Sequence, residues 1–403
     1  MPVDGRKLER SAKRAMSREA YAYVAAGAGA GRTMTANRAA FDRVRIVPRM
    51  LRDVSARDTS VELFGRRLDS PVLLAPIGVL ELAHRDADHA VARAAAAEGV
   101  PMVISNQAST PMEEIAADLG DSPRWFQLYW STSDDLVASL VSRAEAIGAE
   151  AIAVTLDTTM LGWRTRDLDI AYLPFLRGKG IAQYTSDPVF RNLLDHPPEG
   201  ESDIATREQP KPNLRALGTL VQVLRNWPDG PLAGLRTGHA RAAVERFTQI
   251  YSRPSLRWED LPFLRERTKL PILLKGILHP DDARRAVDEG VDGIVVSNHG
   301  GRQVDGAIAT FDALPGIAEA VGGRIPILLD SGIRGGADVF KALALGATAV
   351  LVGRPYVYGL AAGGEAGVRE VLQNVIGEFD LTMGLAGCTA AAEIGPETVA
   401  RDG

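Results

Sequence analysis

The stretch ILLKGILHPDDARRAVDEGVDGIVVSNHGGR, residues 272–302, decides the fold. A short apolar run at 272–275 gives way to a charged segment of helical period at 281–289, and then to a second apolar, β-branched run at 293–297. Two such runs joined by a helix read as a parallel βαβ unit, whose strands are covered on both faces and so are almost continuously apolar. Working outward, the alternation recurs from residue 71 onward. The eight runs lie at 72–75, 102–105, 125–129, 151–156, 272–275, 293–297, 327–330 and 349–352. Seven of them lead promptly into a helical segment, most clearly at 86–98, 134–147, 281–289 and 336–345. Eight units predict a closed (β/α)8 TIM barrel rather than an open doubly wound sheet.

The exception follows the fourth run. Residues 170–253 are rich in Pro, Gly and charge and hold no clear strand, and insertions of this length usually form lids over functional sites. Within it, Leu214, Leu217, Leu220, Val221, Leu224 and Trp227 recur at helical spacing, which predicts a lid helix packed on the barrel rim rather than a membrane-binding helix. The chain thus divides into an N-terminal helical cap and connection, residues 1–70, and the barrel with its lid, residues 71–403. Residues 6–26 read as one helix stopped by Gly27, Gly29 and Gly31. Those glycines follow a helix instead of a strand and have no βαβ unit around them, so they are not a dinucleotide-binding loop.

Composition sets outer bounds. Of 403 residues, 46% are hydrophobic and 24% charged, with a net charge of -5, an ordinary globular balance without the basic runs of a nucleic-acid partner. The first 20 residues lack the apolar core of a signal peptide, and the most apolar stretches, 71–80 and 342–353, are too short to cross a bilayer. The single cysteine, Cys388, has no internal partner and no metal-ligand cluster beside it. A soluble, cytoplasmic protein without a metal site is expected.

In such a barrel the active site is built where the strands end at their carboxyl side. Nearly every run there delivers polar or glycine residues: Pro76, Ile77 and Gly78 after the first, Ser105 and Gln107 after the second, Gln127 and Tyr129 in the third, Thr155 and Asp157 on the fourth. Lys275 ends the fifth, Ser297 to Arg302 the sixth, Asp330 to Arg334 the seventh, and Gly353 and Arg354 the eighth. One such residue alone is as often a salt-bridge or structural partner; their convergence on one rim is what points to chemistry. Gly332, Arg334, Gly353 and Arg354 combine close backbone approach with fork-shaped donors, in the two loops where barrels often bind phosphate. Lys275 offers fixed positive charge to a cofactor that becomes anionic on reduction, and Ser105, Gln127, Thr155 and Ser297 suit the edge of a flat heteroaromatic ring. His299 and Arg302 on one short turn pair a titratable base with a carboxylate clamp, with Asp157 as partner to the imidazole and Arg164 as a second cation.

Through Ser297-Asn298-His299-Gly300-Gly301-Arg302-Gln303 the chain resembles the FMN-dependent L-2-hydroxy acid oxidising family, which includes glycolate oxidase, lactate oxidase, lactate 2-monooxygenase and mandelate dehydrogenase. The likeness runs from about residue 20 to the C-terminus, through Phe126-Gln127-Leu128-Tyr129, Thr155-Leu156-Asp157, Leu273-Leu274-Lys275-Gly276 and Gly353-Arg354-Pro355. The resemblance implies His299 as catalytic base with Asp157, a substrate held by Tyr23, Tyr129, Arg164 and Arg302, and FMN held by Pro76, Ile77, Gly78, Ser105, Gln127, Thr155, Lys275, Ser297, Asp330, Gly332, Arg334, Gly353 and Arg354. Tyr23 enters only through this likeness, by Tyr23-Val24-Ala25-Ala26-Gly27. It also implies a homotetramer.

Within the family the chain is most similar to lactate 2-monooxygenase, through Pro76-Ile77-Gly78-Val79, Pro174-Phe175-Leu176-Arg177-Gly178 and Ser186-Asp187-Pro188-Val189-Phe190. The implied reaction is oxidation of a small L-2-hydroxy acid with O2 as acceptor, with coupled decarboxylation where a closed lid retains the products. Gln107 departs from the aromatic residue of glycolate oxidase-like members, and Gly78 from a common alanine, which is expected to leave room for oxygen or a bulkier substrate. The alternatives left open are an oxidase releasing H2O2, a dehydrogenase passing electrons to a quinone or protein and acting on a larger hydroxy acid, a non-redox phosphate-binding isomerase or lyase, and a silent binding barrel.

Overall fold

The computed structural model describes residues 1–196 and 214–401. Eight parallel strands, Val72–Leu74, Met102–Ile104, Arg124–Tyr129, Ile152–Thr155, Ile272–Ile277, Gly293–Val296, Ile327–Leu329 and Ala349–Val352, close into a barrel in chain order. The eighth seals against the first through Val350, Leu351 and Val352 opposite Val72, Leu73 and Leu74. The strands sit where the apolar runs predict. Most stop a residue short of the runs, which puts Ser105, Ser297 and Asp330 just past the ends of their strands.

Alternation along each strand sorts the core into two layers. Leu73, Val103, Trp125, Ala153, Leu273, Val295, Leu328 and Leu351 point inward and fill the lumen. Their neighbours, among them Leu74, Ile104, Phe126, Val154, Leu274 and Val296, point outward beneath the helices. The amino end of the barrel is stopped by a hairpin, Val61–Leu63 and Arg66–Leu68, that the sequence reading does not anticipate. Its two turn residues, Phe64 and Gly65, both have positive φ (51° and 78°), the hand that matches strand twist. Leu63 and Leu68 are buried in the lumen cluster, and Phe64 lies 5.5 Å from the ring of Trp125. Only the carboxyl end is left open.

Two expectations need correction. The single helix expected at 6–26 is two, Gly5–Ala15 and Arg18–Ala25. Met16 is extended, and the Ser17 hydroxyl accepts the amide of Ala20 at 3.1 Å, so a serine favoured as an N-cap restarts the helix. The lid helix, Leu214–Arg225, packs mainly through Val223, with Trp227 just beyond it, while Leu217, Leu220 and Val221 are exposed. The buried side is set by the neighbours it meets, the turn Pro174–Arg177 and the helix His239–Ile250. A second two-stranded sheet pairs Val44–Ile46, ahead of the barrel, with Val399–Arg401, after it. The described part of the insertion contains only helices and turns, and residues 197–213 lie outside the described residues. Among the described residues no helix is long and apolar enough to cross a membrane, and no group of His, Cys, Asp or Glu could hold a metal ion.

Candidate active site

The sixth strand ends in a tight turn in which His299, Gly300 and Gly301 all have left-handed φ, at 57°, 66° and 74°. Glycine adopts this conformation freely; a histidine does so at a cost of about 1–2 kcal/mol, which the surrounding contacts must offset. The turn brings His299 Nδ1 to 2.9 Å from Asp157 Oδ1, at the end of the fourth strand. That contact occupies Nδ1 and leaves Nε2 available at the cleft. Burial pushes the imidazole below its ordinary value, with Asp157 opposing and Lys275 and Arg164 adding to the shift, which favours the neutral ring. Burial also pushes the Asp157 carboxyl up, but the positive charges of a protonated His299 and of Lys275 carry it below the usual range. Its Oδ2 is buried with no hydrogen-bond partner.

Lys275 is almost fully buried, with Nζ 2.8 Å from Ser297 Oγ and 3.1 Å from Asp330 Oδ2. Burial works against its charge, yet Asp330 and Asp157 hold it above the ordinary lysine value, so it stays a cation. On the adjoining strands Gln127 accepts from Ser105 Oγ at 3.1 Å and donates to Thr155 Oγ1 at 3.0 Å, a buried chain that fixes which way its amide points.

Two arginines line the same cleft. Arg302 donates to the backbone oxygens of Tyr23 and Ala26, and its guanidinium carbon sits 4.8 Å from the Tyr23 ring centroid. Arg164 lies 5.9 Å from the same ring, hydrogen-bonded to Gln303 Oε1 at 3.3 Å. Burial and the Arg164 charge push Arg302 down to about 9, while burial and Asp157 push the Tyr129 phenol up to about 12. Two like charges held together out of water call for an anion between them. Asp167, which the sequence reading passes over, is buried nearby with neither carboxylate oxygen hydrogen-bonded; burial pushes it up against the pull of Arg302 and Arg164.

At the far end, Arg334 donates to its neighbour Ile333 O at 2.9 Å, and burial and Arg354 push it down to about 10. Arg354 spends three donors on the backbone oxygens of Val24, Ala26 and Gly300, at 2.9 to 3.0 Å. Of five guanidinium N–H groups, two remain for a ligand. Gly332 has φ 133° and packs so closely on the pre-barrel helix that a Cβ there would lie 2.9 Å from Asn37 O. Gly353 is different: its added Cβ would meet nothing nearer than Ile77 at 3.5 Å.

These groups face one cleft. Tyr23, Pro76, Ile77, Gly78, Tyr129, Arg164, Lys275, His299, Arg302, Asp330, Gly332, Arg334, Gly353 and Arg354 line it. Ser105, Gln127, Thr155, Ser297 and Asp157 stand behind this lining, the last two tied to Lys275 and His299. The insertion adds Leu173, Phe175, Phe247, Thr248 and Tyr251, none of them anticipated. Phe247 packs against the rings of Tyr184, Tyr251 and Phe175 at 4.8, 5.1 and 5.2 Å. The signal was present: Ala240, Ala243, Val244, Phe247 and Ile250 follow a helical period. The room expected beside Gly78 is filled, since a Cβ there would lie 2.8 Å from both Cβ and O of Gln107.

Residues 12–401 match the family described as FMN-dependent dehydrogenase. The chain belongs to that family. It is 40% identical to L-lactate oxidase of Lysinibacillus sphaericus over 96% of this chain and 90% of that protein. It is 42% identical to an FMN-dependent alpha-hydroxy acid dehydrogenase of Penicillium citrinum, over 98% and 89%. A crystal structure of mandelate oxidase with (S)-4-hydroxymandelic acid superposes with a TM-score of 0.80 at 37% identity, over 100% of this chain and 99% of that one. The chain is thus an FMN-dependent oxidoreductase on a TIM barrel. The residues present fit the cofactor: among the described residues neither Arg334 nor Arg354 has an ion-pair partner, and the open side of Gly353 and the buried cation Lys275 face the same cleft.

Proposed function

We propose that the protein oxidises an L-2-hydroxy acid to the 2-oxo acid in this cleft, with O2 as electron acceptor. The observation that carries the reading is the His299–Asp157 pair at 2.9 Å, in the same cleft that Arg302 and Arg164 line. Arg302 and Arg164 hold the substrate carboxylate with the donors their backbone contacts leave free, and Tyr23 and Tyr129 bracket the hydroxyl. Neutral His299 takes a proton through Nε2, and the Asp157 carboxylate stabilises the imidazolium that results. FMN, when bound, supplies the two-electron acceptor.

For that cofactor, Arg334, Arg354 and the backbone at Gly332 and Gly353 would hold the phosphate, and Ser105, Gln127, Thr155 and Ser297, with Pro76, Ile77 and Gly78, would hold the ring. Lys275, kept charged by Asp330, offsets negative charge gained on reduction. The oxidase relatives support O2 as the acceptor. The apolar lining from Leu161, Leu173, Phe175 and Phe247 favours a substrate whose side chain is apolar and larger than a methyl group.

The test is anaerobic bleaching of the purified yellow protein by a panel of L-2-hydroxy acids, followed by admission of air. Failure of every acid to bleach it overturns the reading. The same assay separates 2-oxo acid plus peroxide from the acid plus carbon dioxide of a decarboxylating enzyme. His299→Gln is expected to retain FMN and to reduce it about 10²- to 10⁴-fold more slowly; reduction at the unsubstituted rate removes His299 from its role. Sedimentation of the holoprotein checks the tetramer.

A further inference from the structure

His299 sits in a conformation its own side chain disfavours, so something outside the turn must impose it. Part of the restraint is a pair of buried amides. Asn37 Nδ2 donates to Asn298 Oδ1 at 2.8 Å, and Asn298 Nδ2 donates back to Asn37 Oδ1 at 2.8 Å. Backbone partners fix both orientations: Gly301 N donates to Asn298 Oδ1 at 3.0 Å, Thr310 N to Asn37 Oδ1 at 3.2 Å, and Asn298 Nδ2 reaches Ile308 O at 3.1 Å. Neither amide can flip without opposing donor to donor or acceptor to acceptor. Asn37 is 2% exposed and Asn298 5%, so no water competes. Asn37 belongs to the helix Arg32–Asp42, ahead of the barrel, and Asn298 immediately precedes His299.

We propose that Asn37 is a positioning residue for the reaction: by clamping Asn298 it holds the left-handed turn that aims His299 at Asp157 and the cleft. It does not line the cleft, and it reaches the reaction through Asn298 and the turn. Ser331 Oγ completes the restraint by accepting from Gly300 N at 2.8 Å, but it comes from the seventh strand loop and moves with the barrel. Asn37 ties the turn to a separate element. The inference rests on His299 being the base.

The test uses the holoenzyme. In Asn37→Leu, FMN content and substrate affinity are expected to stay near those of the unsubstituted protein, while the limiting rate of anaerobic flavin reduction falls on the order of 10²-fold, the scale of a slight misplacement of a reacting group. Hydrogen exchange of the amides at 298–301 accelerates in parallel. An unchanged rate overturns the proposal, and so does a loss of rate that merely follows loss of FMN with exchange at 298–301 unaltered. Should Asn37→Leu fail to fold, Asn37→Asp decides. A protonated carboxyl restores the donor to Asn298 Oδ1 and an ionised one cannot, so the rate relative to the unsubstituted protein must rise as pH falls; a flat ratio sinks the idea. If His299→Gln reduces FMN at full speed, the base assignment fails; if that variant is inactive and the Asn37 variants are normal, only the present proposal fails.

Discussion

The proton transfer proposed for His299 requires the neutral ring, and burial favours that form. Because burial holds the imidazole below its ordinary value of 6.5, kcat/KM is expected to be level near neutral pH and to fall as pH drops through that lowered value. The sign is fixed by the role: a base is lost when it protonates. Asp157 is the influence that raises His299, so Asp157→Asn should move the acid limb to still lower pH while reducing the plateau, since the imidazolium formed in turnover loses its anion. A pH profile of kcat/KM for both proteins checks this, and a limb displaced upward contradicts it. Gly78 makes a separate case. A methyl there meets the backbone oxygen of Gln107 at 2.8 Å, a contact no side-chain rotation relieves. Gly78→Ala is expected to cost about 1–3 kcal/mol in urea unfolding and to displace Gln107 in the cleft. Strand-end residues such as Lys275 and Asp330 are legible in sequence because a polar residue after an apolar run has only the rim to go to. Asp167 is not, since nothing local distinguishes it from a surface acid on a short helix.

The elements differ in how much of their structure is local. Barrel strands are short apolar runs whose burial on both faces is written in every residue, and they are found within two positions. The insertion is held by rings instead. Phe247 joins the helix His239–Ile250 to Phe175, Tyr184 and Tyr251, and it also lines the cleft. Phe247→Ala should therefore act twice. It removes a buried aromatic worth about 3–5 kcal/mol, and it loosens the cover over the site. Limited proteolysis within residues 170–253 should quicken, with selectivity among apolar 2-hydroxy acids relaxed. Resistance equal to the unsubstituted chain would show that these rings do not hold the lid. The split of the first helix at Ser17 belongs to the same scale: the cap is a local signal, but periodicity alone runs straight through it.

For the whole molecule, the hairpin stopper and the lumen cluster leave one open end, and binding there stabilises the folded chain alone. Removal of FMN should lower the unfolding midpoint, and free FMN at about 100 times its dissociation constant should return about 2.7 kcal/mol. A midpoint indifferent to added FMN argues against the cofactor contacts assigned to this cleft. By itself, the sequence determined the barrel, the polar rim at its carboxyl end and most of the residues that face the cleft. Each of these follows from a repeating local pattern of apolar runs and the polar groups that end them. Only the tertiary structure decided that Gln107 closes the space beside Gly78, that aromatic rings of the insertion wall the cleft, and that Asn37 grips Asn298 across 261 residues of chain. Those are contacts between segments distant in sequence, and they come into being only once the barrel has closed and brought its ends and insertions onto one face.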